Sequence, residues 1–433
     1  MGEVPFGFGP GEANDDDRPD GAGSAVPGFD MASLGAALQQ LGSMLQAGGG
    51  EDVGPVNWKL AHDVARQAVA GAGDPVVSDT QRRQVADSVQ LADLWLDSVT
   101  QFPSCGSVAE SWSRSEWLEA TMPAWRQIIA PVAERLAATM QQLLPGTEGA
   151  VDSGALSIPG MPEGLPPEFA AMAAPLLGMA RAMGSAMIGM QVGQGLAALA
   201  GDVLSSGDVG VPLVRESHAA LVPENLAAFG AGLGLPDDDV RLFVALREAA
   251  HQRLFAHVPW LRARVEGAME SYAAGIKIDQ QRIEDALASL DPQHPESIQA
   301  ALSSGVFEAE DSEDQRAALA RLETLLALTE GWVDDVVRAA CADRLPSYNQ
   351  LSEVLRRRRA TGGPAEKTFA TLVGLELRPR RLREAAALWA LLRERNGVAA
   401  RDALWDHPDL LPASDDLDDV VGFVDRCEPP ADS

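Results

Sequence analysis

The residues with the clearest capacity for chemistry are Arg247-Glu248-Ala249-Ala250-His251. Their spacing follows the HExxH template, in which two histidines four apart share one helix face and hold zinc. The glutamate beside the first histidine polarises the bound water. Arginine stands where the first histidine would be, leaving Glu248 as a candidate base and His251 as a candidate ligand. Taken alone, RExxH is common, and a surface Arg–Glu pair beside a partly buried histidine accounts for it as well.

A second segment, Thr329-Glu330-Gly331-Trp332-Val333-Asp334, changes that balance. Glu330 and Asp334 are four apart and share a helix face. A zinc hydrolase takes a third protein ligand from elsewhere in the fold, often a carboxylate, and uses another carboxylate to orient a liganding imidazole. Glu330 and Asp334 suit those two roles. Gly331 costs about 1 kcal/mol against alanine inside a helix, so its smallness points to close approach by another element. His257 lies six residues beyond His251, the offset of a third histidine in the extended motif. Leu254 replaces the glycine that would turn the helix there, which ranks His257 below Glu330 as a ligand.

An arginine at 247 cannot ligate a cation, because its guanidinium carries only donors and stays charged. It can supply a fixed positive charge and a two-pronged donor. Arg247 is therefore expected to replace the metal's charge by pairing with Glu330, Asp334 or Glu248.

The elements that must position these groups are helical. In 433 residues, hydrophobic residues make up 46% and aromatics only 5%, which favours helices over a β-sandwich. The expected class is mainly α with at most a small sheet. Residues 1–50 read as a disordered, acidic, Gly/Pro-rich tail carrying a short amphipathic helix at 31–46, and residues 429–433 as a loose end. Between them, 51–428 reads as one domain whose site helices run 237–257 and 315–345. Proline 236 and the acidic run Asp237–Asp239 open the first of these. Pro123 and Pro131 are expected to punctuate the helical pattern of 113–144, and Gly397 to cap a helix over 380–396. The uncharged stretch Ala182–Gly201 repeats Ser185, Gly189, Gly193, Ala197 and Gly201 every four residues. Without aromatic belts it is expected to form a central buried helix and not a membrane span.

These segments together resemble an actinobacterial zincin-like family of zinc-dependent metalloproteases or hydrolases, one branch of which is associated with deazaflavin-coenzyme biosynthesis. The resemblance runs through Gly54–Trp58, Trp112–Trp117, the glycines of 189–195, Arg247–Leu261, Leu325–Val337 and Arg359–Trp389. It implies a helical zincin-like metallopeptidase fold and zinc as cofactor. It also implies Glu248 as general base, His251 and Glu330 as zinc ligands, and Asp334 behind them. Arg247 departs from the family's pattern.

Two functions follow as expectations. One is a zinc hydrolase, peptidase-like, acting on a peptide or protein. The other is a metal-free scaffold that binds a peptide or protein partner. With 63 acidic against 34 basic residues and a net charge of −29, nucleic acid and anionic membranes are excluded as partners. Three scattered cysteines, Cys105, Cys341 and Cys427, fit a reducing cytoplasm. The arginines at 356–359 form a basic island, suited to an anionic ligand or to pairing with the acidic surface.

Overall fold

Eleven α-helices, three single-turn 3-10 helices between 404 and 417 and one two-stranded sheet account for the regular structure among the described residues of this computed structural model. Those residues are 54–106, 108–142, 167–214, 218–275, 312–360 and 381–427. The expected tail and short helix at 31–46 and the terminal residues 429–433 lie outside them. In chain order the helices are α1 (Trp58–Ala72), α2 (Asp79–Leu96), α3 (Arg114–Gln142) and α4 (Pro167–Ala200), followed by α5 (Pro223–Gly230), α6 (Asp237–His257) and α7 (Trp260–Ala274). The remainder are α8 (Glu313–Cys341), α9 (Tyr348–Ala360), α10 (Leu382–Ala403) and α11 (Val420–Cys427). Strands β1 (Glu110–Ser111) and β2 (Ala220–Leu221) pair in parallel. The mainly α class with a minimal sheet is what the structure has.

Helix α6 is the element around which the others gather. It packs against α2, α5, α8 and α9, and residues Leu242 to Leu254 are buried without a break. Its ends are set by sequence. Three aspartates occupy the first turn, where the helix dipole is positive, and His257 occupies the last. Helix α8 starts at a capping box: the Ser312 side chain accepts from the Gln315 backbone at 3.1 Å, and Gln315 answers onto the Ser312 backbone N–H. It then packs against α6, α7 and α10. Gly331 is where α10 comes in, since a Cβ there would lie 2.8 Å from Ala385 backbone.

Two expectations are corrected. The glycine-stripe helix α4 is not central. Its small residues face α1, where a Cβ on Gly189 or Gly193 would sit 2.5 Å from the carbonyl oxygens of Asn57 and Ala61. Its opposite side leaves Met183, Met187 and Met190 exposed. Lack of charge made α4 look buried, but the small residues serve one close contact, while the charged helix α6 is the buried one because its ions are paired. Helix α3 runs straight through Pro123 and Pro131. Each proline removes one backbone bond, and buried Trp117, Leu118, Trp125, Ile129 and Val132 on the same helix outweigh that loss. The expectation for Gly397 holds: at φ +85° it leaves helical geometry and ends the stretch that starts at Leu382, and a second helical stretch carries on to Ala403 across the kink.

The core is built on large aromatics. Trp117, Trp125, Trp332, Trp389 and Trp405 are fully buried, with Trp389 and Trp405 stacked at 5.5 Å. Trp58 and Trp95 lie at its edge, under the guanidinium groups of Arg126 and Arg344 at 5.5 and 5.6 Å. No helix of the described residues is long and apolar enough to cross a membrane.

Candidate functional site

Arg247, Glu248 and His251 come from the buried middle of α6, and Glu330 and Asp334 from the facing side of α8. The structure brings the two segments together. His251 Nε2 lies 2.9 Å from Glu330 Oε1, and Arg247 Nη2 donates to Glu330 Oε2 at 2.6 Å. Arg247 Nη1 is 3.6 Å from Asp334 Oδ1. Burial favours the neutral form of Glu330, but Arg359, His251 and Arg247 outweigh it and hold its carboxyl well below the usual range. Glu330 is thus ionised and only accepts, so His251 Nε2 carries the proton. Nδ1 of the same ring is buried without a partner.

Glu248 takes another direction. It is fully buried. Its Oε1 accepts from the Ser206 hydroxyl and from Gln252 Nε2 at 2.8 Å, and its Oε2 accepts from the Gly207 backbone N–H at 2.8 Å. The loop carrying Ser206 is held by the small sheet: Ser206 N donates to Ala220 of β2 at 3.0 Å, and Val222 N to Leu204 at 3.0 Å. Backbone presses directly on the site from this loop. A Cβ on Gly207 would sit 2.9 Å from Glu248 Oε2 and 3.1 Å from His251 Cβ, and one on Gly210, whose φ is +80°, 3.0 Å from Glu330 Oε1.

The far wall is the end of α9. Arg359 Nη1 donates to Glu330 Oε2, the oxygen that Arg247 already holds. Arg358 reaches Asp208 at 3.2 Å and Arg356 reaches Asp334 at 3.3 Å. The basic island is therefore spent largely on the molecule's own carboxylates. His257 does not join the group. Its Nδ1 donates to the Arg253 carbonyl at 2.8 Å, and its ring stacks on Phe102 at 5.9 Å.

Sequence reasoning missed Ser206, Gly207, Asp208 and Gly210, which read only as a connector. The available signal was the Ser-Ser-Gly-Asp-Val-Gly run itself, since two close glycines often mark a tight backbone approach. It also missed that Arg359, of the four consecutive arginines, enters the site.

Zinc does not fit the residues present. Glu330 Oε1 is bonded to His251 and faced by the Gly210 backbone, and Oε2 accepts from two guanidinium groups. Glu248 is turned into its own bonds. Among the described residues no three His, Cys, Asp or Glu side chains are grouped to hold a metal ion. Arg247 stands at the motif position of a ligand, and Arg359 puts a second fixed cation on the same carboxylate oxygen.

The sequence pattern of the zincin-like metallopeptidase family matches residues 56–424, and the chain belongs to that family. A crystal structure described as a candidate hydrolase with a novel fold, from Chloroflexus aurantiacus, shares the fold. It superposes with a TM-score of 0.58 at 22% identity, covering 86% of this chain and 98% of that one. No functionally curated protein matches the chain.

Proposed function

We propose that this chain is a metal-free member of its family: a zincin scaffold that binds a peptide or protein, with Arg247 supplying the charge a metal would bring. Family membership supports a metallohydrolase-type function in general, and the residues of this particular site argue for the narrower reading. The observation that carries it is the buried 2.6 Å bond from Arg247 to Glu330. Two facing carboxylates repel in a low-dielectric site, and a guanidinium beside both Glu330 and Asp334 removes that repulsion. Glu248 supports the same reading, because a base whose oxygens already accept three bonds is poorly placed to take a proton from water. Three free thiols suit a reducing cytoplasm as the place of action. Within the family we take the chain to be of the actinobacterial branch, on the strength of Gly54–Trp58 and Trp112–Trp117.

A second reading is favoured by the 2.9 Å approach of His251 to Glu330. In it the chain is a zinc peptidase with Glu248 as base and His251 and Glu330 as ligands. Metal analysis of protein produced in zinc-supplemented medium, followed by digestion of a peptide mixture with wild type and Glu248→Gln, separates the two. The scaffold reading predicts zinc far below one per chain and no cleavage that depends on Glu248. One zinc per chain with cleavage lost in E248Q establishes the peptidase instead.

A further inference from the structure

Arg247 is not the only fixed cation on Glu330. Arg359 reaches the same carboxylate oxygen from α9, on the more exposed side: its side chain is 16% accessible against 7% for Arg247. Each carboxylate oxygen has about two acceptor positions. Those of Oε2 are both used by guanidinium groups and one position of Oε1 is used by His251, while a Cβ added at Gly210 would lie 3.0 Å from Oε1. Around this core Asp334 lies near Arg247 and Arg356, and Asp208 near Arg358 and Arg359. With Asp202 3.9 Å from Arg358, four carboxylates meet these four guanidinium groups among the described residues, so the cluster is balanced before any metal is added.

We propose that Arg247 and Arg359 together replace the two charges of a divalent ion, and that Arg359 is a positioning residue that excludes metal independently of Arg247. This rests on the metal-free reading and extends it from one residue to a pair on different helices. Substituting Arg247 alone frees a single acceptor position on Glu330 and leaves a full positive charge on the same oxygen. Substituting both removes two charges, the number a divalent ion brings, so that binding one then returns the cluster to its present balance.

The test uses zinc alone as probe, measured by competition with a chromophoric chelator. The proteins are wild type, R247H, R247H/R359Q and R247H/R357Q. Arg357 pairs with Glu353 and its side chain is 76% accessible, so its loss changes net charge equally without removing either cation that the described contacts place on Glu330. R247H/R359L, which keeps side-chain bulk, is a second version of the double variant, and circular dichroism confirms that each is folded. The expected result is that removing Arg359 tightens zinc binding by at least about ten-fold relative to R247H/R357Q. Equal affinity in R247H/R359Q and R247H/R357Q overturns the role of Arg359 and leaves the metal-free reading intact. One zinc per chain in wild type overturns that reading itself.

Discussion

Glu330 is the residue on which the site turns. It is buried, ionised and held by Arg247, Arg359 and His251. Neutralising it as Glu330→Gln leaves Arg247 buried without its strongest partner, and chemical denaturation should show a loss of roughly 3–5 kcal/mol. A loss within experimental error would mean that the cluster is not a linked unit. The pH dependence has a definite sign. The folded-state carboxyl lies below its ordinary value of 4.5, so its contribution is fully present above that value and falls away as pH drops through the lowered folded value. Acid titration of E330Q should therefore show a shallower loss of stability below about pH 4.5 than wild type. Gly210 gives a second residue-level prediction. Alanine there is strained at φ +80° and presses on Glu330, so G210A should destabilise by about 1–3 kcal/mol, read as a lower denaturation midpoint.

At the level of elements, the close contact of α4 with α1 depends on Gly189 and Gly193, while Met187 on the opposite side is exposed. Gly193→Val should lower the thermal midpoint by several degrees, whereas Met187→Gln should leave it within about a degree. Equal effects would mean that the stripe is not the packing surface. The sequence made helix α6 legible because its start carries Pro236 and Asp237–Asp239, whereas α8, expected at 315–345, runs from Glu313 to Cys341 and its Ser312–Gln315 capping box went unread. Gly331 correctly signalled a crossing element, which is α10. Burial was less legible. Absence of charge placed α4 in the centre, but burial follows from whether polar groups find partners, and those partners for α6 come from residues up to 160 positions away. The site was half legible for the same reason. RExxH and Glu330 share helix periodicity that can be read locally, while Ser206, Gly207 and Arg359 arrive through β2 and α9, whose placement no local pattern encodes.

At the scale of the whole molecule, a chain with net charge −29 gathers four of its arginines on four carboxylates beside α6 and α8. Such a chain attracts divalent cations to its surface by long-range field, so weak peripheral zinc binding is expected and must be distinguished from a site. The distinction lies in stoichiometry and linkage, since an ion bound specifically to the native state raises its stability with concentration. The most direct measurement is the zinc content of wild-type protein after dialysis against excess zinc and then buffer, with its thermal midpoint recorded with and without the metal. The account predicts well under one zinc retained per chain and an unchanged midpoint. One tightly held zinc per chain, with a midpoint that rises as zinc is added, would contradict it.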